Sequence, residues 1–189
     1  MKKNVLKGAA ASLIVLTSLA FTSLKKEINL KESNVTWTAK KVTGSHNGNV
    51  NLKSGFFNIE DEKVIGGEFV MDMTSISNED LTGEYKQKLE GHLKSEDFFG
   101  VEKHPTAKLV ITNIAEKGNG SYGVLGNLTI KNITKPVTFD LEMKENSASA
   151  KLTIDRSKFD VKYGSGSFFD DLGDKTIYDN FDLEVNLKF

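Results

Sequence analysis

The side chains that could carry catalysis are few and lie far apart along the chain. The 189 residues contain three histidines, His46, His92 and His104, each in a different segment. A serine hydrolase needs a nucleophile on a sharp turn, a base, and an acid that orients the base. The pattern Gly-x-Ser-x-Gly does not occur, and the nearest segment, Gly164 to Ser167, lacks the final glycine. We therefore predict that the chain is not an enzyme and has no catalytic residues.

A metal site has equally little support. The chain has no cysteine, and its histidines lack the His-x-His or His-Glu-x-x-His spacing of zinc sites. Asp170, Asp171 and Asp174 form an acidic loop, but their spacing is not that of an EF-hand. We predict no metal and no cofactor. His46 and His92 are interpreted as polar groups near the mouth of a cavity.

Arg156 is the only arginine in the chain and has acidic neighbours. A guanidinium at the end of a strand can hold an anionic head group with two hydrogen bonds. It can also form a structural ion pair with a nearby carboxylate, and the sequence leaves both roles open. We place Arg156 with His46 and His92 among the polar residues at the mouth.

Aromatic side chains give the stronger indication of function. Phenylalanine occurs 12 times, and three pairs lie beside turns: Phe56-Phe57, Phe98-Phe99 and Phe168-Phe169. Neighbouring residues of a strand point to opposite faces, so one member of each pair should face the interior and the other should line an opening. The residues that we predict to bind an apolar ligand are Trp37, Phe56, Phe69, Met71, Leu93, Phe98, Phe99, Phe139, Phe168 and Phe169.

Strands must position these side chains, because apolar and polar residues alternate along most of the chain. The Tyr122–Ile130 and Val137–Met143 segments alternate in this way, and so does the final segment from Phe181. We expect their apolar residues to point inward. A change of parity near Ser54-Gly55 predicts a β-bulge. About eight such segments predict an all-β fold, an eight-stranded antiparallel β-barrel, which can hold one small ligand.

One segment departs from this alternation. Ser77 to Asp80 resembles a capping box, and Leu81, Tyr85, Leu89 and Leu93 recur at every fourth residue. This spacing predicts one inserted helix over residues 78–90, ending near Gly91, followed by a short turn that carries Ser95 to Phe99. A helix between strands is well placed to cover one mouth of a barrel. We expect Phe98, Phe99 and the Tyr163–Leu172 loop to control entry there.

The run HLKSEDFFGVEKHPTAKL, followed by YGVLGNLTIKNITKPVTF, resembles the signature of the YceI family, lipocalin-like polyisoprenoid-binding proteins of the bacterial periplasm. The matching positions include His92, Ser95, Phe98, Phe99, Pro105, Gly126, Asn127, Thr134, Lys135 and Pro136. Asn132 replaces the usual turn glycine, and the segment after Arg156 is long. The resemblance implies a lipocalin-like β-barrel domain over residues 25–189 that binds a polyprenyl lipid or an isoprenoid quinone.

The beginning of the chain predicts export. Lys2, Lys3 and Lys7 precede an apolar stretch of about 14 residues, which is too short to span a bilayer. We predict a signal peptide over residues 1–20, cleaved on export to the periplasm or medium. Its removal would change the formal net charge from −1 to −4. An acidic chain without a basic tract is not expected to bind nucleic acid or to be stably inserted in a membrane.

Two functions from different classes remain open at this point. The first is non-enzymatic binding, carriage or sequestration of an isoprenoid or other long-chain lipid in an apolar barrel lumen. The second is an exported structural or stress-related β-barrel whose lumen is filled by its own side chains. The sequence leaves the identity of the lipid, the physiological role and the oligomeric state open.

Overall fold

The computed structural model describes residues 24–189, so the predicted signal peptide lies outside the described residues. Nine strands occur in chain order: β1 (Leu24–Glu27), β2 (Asn34–Lys41), β3 (Gly44–Glu60), β4 (Lys63–Asn78), β5 (Thr106–Gly118), β6 (Ser121–Ile130), β7 (Ile133–Lys144), β8 (Ser147–Asp155) and β9 (Ile177–Lys188). One α-helix, α1 (Gly83–Lys94), lies between β4 and β5, and two short 3-10 helices span Arg156–Phe159 and Gly173–Lys175.

Strands β2 to β9 close into an antiparallel barrel. The order around the ring is β3, β2, β9, β8, β7, β6, β5, β4, and the pairing of β4 with β3 completes it. The short strand β1 is added to the later half of β3, where Glu27 pairs with Phe56. The predicted eight-stranded barrel is therefore confirmed, with one additional short strand.

The alternation in the sequence decides which side chains point into this barrel. Tyr122, Val124, Leu128 and Ile130 of β6 are buried, and Leu141 of β7 is buried between exposed Asp140 and Glu142. Because successive strand residues point to opposite faces, one parity supplies the interior and the other the surface. The predicted inward direction of both apolar sets is confirmed.

Two local predictions on the backbone are also confirmed. The register between β3 and β4 shifts between Leu52 and Ser54, as a β-bulge requires. Lys131 and Asn132 join β6 to β7 with positive φ angles of 49° and 62°. Two consecutive residues in the left-handed region form the tight hairpin turn that matches strand twist, and asparagine tolerates this conformation.

The helix was predicted too early in the chain. Asn78 still belongs to β4, and α1 begins at Gly83, after Thr82, whose side chain makes no capping hydrogen bond. Gly91 lies inside the helix and does not end it. Of the predicted apolar stripe only Leu93 is buried, while Tyr85 is 74% exposed. The cause is the long β4, which uses residues 77 and 78 for pairing with β3.

The hydrogen-bonded pairing of the barrel wall is incomplete between β7 and β8. These strands pair only from Asp140–Lys151 to Lys144–Ser147, so residues 133–139 of β7 pair with β6 alone. The segment Arg156–Val161 packs beside this gap, with Phe159 and Val161 fully buried. Pro136 lies on the unpaired stretch, where its missing N–H costs no hydrogen bond to β8.

The two ends of the barrel differ. We call the end that carries α1, the Ser95–Phe99 turn and the Arg156–Val161 segment the helical end. The opposite end, which we call the aromatic end, is filled by strand residues Phe57 and Phe69 and by Phe189, which follows β9. The ring of Phe57 lies 5.0 Å from that of Phe69 and 6.1 Å from that of Phe189.

Candidate binding site in the barrel lumen

The barrel interior contains two adjacent apolar cavities. The first, of about 100 Å³, lies at the helical end and is lined by residues of six strands together with Leu93, Phe98, Phe99 and Arg156. The second, of about 90 Å³, lies toward the aromatic end, where Phe57, Phe69 and Leu141 line it. Four residues line both cavities: Val35, Met71, Leu128 and Leu183.

The lumen is not filled by the side chains that point into it. Along β9, residues of inward parity between Ile177 and Val185 are only half-buried, whereas a packed core would bury them completely. Half-buried inward residues on several strands border one of the two cavities: Leu52, Leu109, Phe139, Phe181, Leu183 and Val185. Unfilled space therefore continues along the lumen.

The cavity walls offer almost no polar group to a ligand. The indole N–H of Trp37, at the helical end, donates to the carbonyl of Ser77 over 3.1 Å. Arg156 is the only charged residue that lines either cavity. A buried surface of this kind favours hydrocarbon, because a charge without a partner is costly in an apolar cavity.

Arg156 uses its donors on the backbone of the chain. The side chain is 3% exposed, and its N–H groups donate to the carbonyls of Val161, Tyr163, Ile177 and Tyr178 over 2.8 to 3.3 Å. This arrangement ties the segment after β8 to the start of β9. It favours the structural role of the two that the sequence left open, because four of the five guanidinium N–H groups are used on carbonyls of the chain.

The charge of Arg156 has a partner as well. Oδ1 of Asp179 lies 3.5 Å from Nη2 of Arg156, and Oδ2 of Asp179 accepts a hydrogen bond from Ser167 over 2.6 Å. Burial lowers the pKa of Arg156 from its ordinary value, while the carboxylates of Asp179 and Asp155 act in the opposite direction. An arginine keeps its charge under such conditions, so the contact is an ion pair.

Aromatic contacts close the helical end above the first cavity. The rings of Phe98 and Phe99 lie 5.2 Å apart, and Arg156 lies over Phe98 at 5.5 Å. Tyr163 joins the loop after Arg156 to the helix, with its ring 3.9 Å from that of His92 and 6.4 Å from that of Phe98. Each contact comes from a segment inserted between strands.

His46 lies in a polar network at the edge of this end. Its Nδ1 is 2.8 Å from Oδ2 of Asp80, and Oδ1 of Asp80 accepts from the backbone of Asn47 and the side chain of Asn78. Asn78 is fully buried and its backbone N–H donates to Glu90 of α1 over 2.9 Å. The network fastens the helix to the ends of β3 and β4.

The charge of Asp80 is stabilised within that network. Its partial burial alone would raise the pKa of the carboxyl group. The hydrogen bonds from Asn47, His46 and Asn78 outweigh burial and hold the pKa of Asp80 below its ordinary value. Neither His46 nor His92 lines a cavity, so the two histidines support the helical end and do not face the lumen.

Seven of the ten predicted apolar residues line the lumen. Trp37, Leu93, Phe98 and Phe99 line the first cavity, Phe69 and Phe139 the second, and Met71 both. These positions are brought together from β2, β4, β7 and the helical segment.

Three predicted residues lie elsewhere. Phe56 is on the outer face, where Lys25 lies 4.0 Å from its ring, because the bulge in β3 directs Phe57 inward instead. Phe168 and Phe169 are 41% and 48% exposed. The amides of both donate to the carbonyl of buried Ser165, so their loop folds on itself and turns the pair outward. These three predicted ligand-binding residues therefore line neither cavity.

Sequence reasoning also missed residues that line the site. Phe57 belongs to a pair from which its neighbour was chosen, and counting parity from beyond the bulge would have found it. Phe181 and Leu183 follow the clearest alternation in the chain and could have been included on that signal. Tyr163 lies in the loop that was predicted to control entry, and its ring contacts His92 of the helix.

Residues 24–189 contain no cluster of three or more histidine and carboxylate side chains that could hold a metal ion. In the same range, no helix combines the length and the apolar character needed to cross a bilayer.

A closed antiparallel barrel of eight strands, with one covering helix and an apolar interior, defines the lipocalin-like class of folds. The chain belongs to the YceI-like domain family, whose model matches residues 27–189. The family suggested by the resemblance of the His92 and Gly126 regions is confirmed.

Curated relatives are bacterial proteins named UPF0312. One from Vibrio campbellii is 30% identical over 135 residues, which are 70% of this chain and 63% of the relative. One from Shewanella denitrificans is 35% identical over 91 residues, or 48% of this chain and 46% of the relative. The chain thus matches about half to two thirds of the length of these relatives.

Solved structures share the fold at low sequence identity. BcnA of Burkholderia cenocepacia aligns with a TM-score of 0.64 at 23% identity, covering 85% of this chain and 98% of that one. A polyisoprenoid binding domain from Saccharophagus degradans aligns with a TM-score of 0.61 at 12% identity, covering 85% and 95%. A Campylobacter jejuni YceI protein aligns with a TM-score of 0.55 over the whole chain at 16% identity.

Proposed function

We propose that this chain is a non-enzymatic binding protein that carries or sequesters an isoprenoid lipid in its barrel lumen. The observation that carries the proposal is the pair of apolar cavities bordered by inward side chains that are only half-buried. A hydrocarbon chain would bury these side chains and fill the space. The ligand class is a polyprenyl lipid or an isoprenoid quinone.

The magnitudes favour a long apolar chain over a small polar metabolite. Association costs about 4–15 kcal/mol of lost freedom. Burying about 400 Å² of hydrocarbon contributes about 10 kcal/mol at roughly 25 cal/mol per Å². A small polar molecule offers too little apolar surface, and the walls offer it no free hydrogen-bonding group.

The same walls bear on where the head of the lipid lies. Arg156 is the one charged residue of the lining, and its donors are used on backbone carbonyls. A phosphate or diphosphate group inside the lumen would remain unpaired, at a cost of several kcal/mol. The proposal therefore places the tail inside and any charged head outside the barrel. The polyisoprenoid binding domain from Saccharophagus degradans, which has the same fold, agrees with this ligand class.

Entry is proposed at the helical end. The first cavity is closed there by Phe98 and Phe99, which lie on a turn after α1 and not on a strand. Tyr163 links the 163–172 loop to the same aromatic cluster. Such inserted segments can move without breaking the hydrogen-bonded ladders of the barrel. The aromatic end, in contrast, is closed by residues of the ladders themselves.

The proposal includes export. Residues 1–20 have the composition of a signal peptide, and the family is periplasmic in the resemblance described above. We propose that residues 25–189 act in the periplasm or outside the cell. The intact mass of the exported protein tests this, because retention of Met1 would contradict cleavage.

A structural or stress-related barrel without a ligand is the second candidate. This candidate requires a lumen filled by the protein's own side chains. The half-buried inward residues of β9 disfavour it, because they border unfilled space.

Organic-solvent extraction of the purified protein, followed by mass spectrometry, tests the proposal. We expect an isoprenoid lipid in the extract, and its reloading into delipidated protein from phosphatidylcholine vesicles. A variant with Phe181→Trp, which adds bulk inside the lumen, should retain less lipid, while Asn186→Trp, at an exposed position of the same strand that lines neither cavity, should retain as much. An extract without lipid, together with failed reloading, would favour the ligand-free barrel.

A further inference from the structure

The two cavities meet at a level of the lumen where four side chains line both, which we call the waist and define by Val35, Met71, Leu128 and Leu183. These residues come from β2, β4, β6 and β9, which are distributed around the ring. Each lines the cavity on either side. Because the set encircles the lumen, a chain that passes from one cavity to the other must contact it.

The waist is built from side chains that can yield. Met71 and Leu183 are only half-buried, so both border unfilled space. Methionine is unbranched and adapts to irregular space more readily than other apolar residues. A rotamer change at Met71 would widen the passage without moving the backbone, whose pairing with Leu52 and Ala107 is intact.

The two cavities also differ in what closes them. The first lies under Phe98 and Phe99, the proposed entrance. The second ends at Phe57 and Phe69, whose rings are in contact and belong to ladder strands. An entering chain therefore fills the first cavity before it reaches the waist, and only a longer chain reaches the second.

We infer that the lumen measures isoprenoid chain length, with the first cavity receiving the leading part of any prenyl chain and the second, beyond the waist, adding burial only for longer ones. This inference rests on the proposed function. The second cavity supplies additional burial only to a chain that passes Met71. Long chains are thereby favoured over short ones by the apolar surface that they alone can bury.

Replacing single alanines by leucine tests the contribution of each cavity separately. Ala107 lines the first cavity and Ala150 the second, and both are buried. Ala107→Leu and Ala150→Leu add the same volume on opposite sides of the waist. Ala115 is exposed on β5 and lines neither cavity, so Ala115→Leu is a control for the substitution itself.

The probe is an equimolar mixture of farnesol, a short prenol, and solanesol, a long one, in phosphatidylcholine vesicles. Delipidated protein is loaded from the vesicles, separated by gel filtration and extracted for mass spectrometry. The wild type and Ala115→Leu should retain both prenols with solanesol in excess. Ala150→Leu should lower the ratio of solanesol to farnesol by about tenfold, which corresponds to about two buried methylene groups. Ala107→Leu should lower retention of both.

Two further variants keep the test valid if Ala150→Leu fails to fold. Ala150→Val adds less bulk and should lower the ratio in the same direction by a smaller factor. Met71→Ala widens the waist and should raise the ratio. Variants are compared per folded molecule, measured by near-ultraviolet circular dichroism.

The outcomes distinguish failure of the chain-length inference from failure of the proposed lipid binding. If the wild type retains neither prenol, the proposed function fails. If it retains both, Ala107→Leu lowers both, and Ala150→Leu and Met71→Ala leave the ratio at the wild-type value, the function stands and the measurement of chain length is overturned.

Discussion

The two ends of the barrel are closed by different means. At the aromatic end, Phe57 and Phe69 lie on paired strands, Phe189 directly follows β9, and the three rings pack edge to face. At the helical end, Phe98 and Tyr163 lie on segments inserted between strands, and Arg156 joins those segments through backbone carbonyls. One closure is part of the sheet, and the other is laid over it.

This difference means that the aromatic end contributes mainly to the stability of the fold, while the helical end controls access to the lumen. Removing a side chain from the aromatic end leaves a hole in a core that the ladders hold in place. Removing one from the helical end releases a cover while the ladders remain. A barrel that must be both stable and loadable needs such a division, because well-packed cores do not open gradually.

The largest expected effect is on stability, at the aromatic end. Phe57 is 1% exposed, so Phe57→Ala should lower the free energy of unfolding by about 3–5 kcal/mol. Its neighbour Phe56 points outward and contacts Lys25, so Phe56→Ala should cost less than about 1 kcal/mol. Urea denaturation measures both. Equal costs for the two variants would mean that the parity of β3 is assigned incorrectly.

The next effect concerns the residue that holds the helical cover. Arg156→Met would leave four backbone carbonyls without a donor and should destabilise the protein by about 3 kcal/mol. Arg156→Lys keeps the charge but has fewer donors in a different geometry, so its loss should be intermediate.

Limited proteolysis is the second measurement on these variants. Cleavage in the 163–172 loop should become faster in the order wild type, Lys variant, Met variant. Lys158→Met, at an exposed neighbouring site, should match the wild type in both measurements. An Arg156→Met variant as stable and as protected as the wild type would show that the arginine does not hold the loop.

A smaller free-energy effect should appear in binding. Phe98 lines the first cavity, so Phe98→Ser should reduce lipid retained after vesicle loading by about tenfold, or about 1.4 kcal/mol. Phe168 lies outside the lumen with Lys162 5.5 Å from its ring, and Phe168→Ser should change retention by less than about twofold. If both variants retain as much lipid as each other and Phe98→Ser only lowers stability, Phe98 is an ordinary core residue and does not cover the cavity.

The smallest expected effect depends on pH. The pKa of Asp80 is lower in the folded protein than its ordinary value of 3.8. A lowered folded pKa stabilises the protein above the unfolded value, and the stabilisation is lost as pH falls through the folded one. Asp80→Asn should therefore be less stable than the wild type at neutral pH, and the difference should shrink as pH falls below 3.8 toward the lower folded pKa. Urea midpoints across this range measure it, and a constant difference would contradict the assignment.

The sheet was predictable from the sequence because its determinants are local. Alternation along Phe181 to Leu187 requires only that one face of a strand is apolar, and the tight turn at Lys131-Asn132 requires only residues that tolerate positive φ. The residues of the lumen that lie on regular strands, such as Trp37, Phe69 and Phe139, were found in this way. Phe56 was misplaced because a single bulged residue reverses the parity of everything beyond it.

The helical end was decided by tertiary structure. The length of β4 is set by its pairing with β3. Because this pairing keeps residue 78 in the strand, the helix begins at Gly83 and not at the predicted residue 78. The partners of Arg156 lie up to 22 residues away in the chain, and Tyr163 reaches His92 only because the barrel closes. Local sequence thus determined an apolar-lined antiparallel barrel. Which end is covered, by which side chains, and where the two cavities meet depends on contacts between residues distant in sequence, which no local pattern encodes.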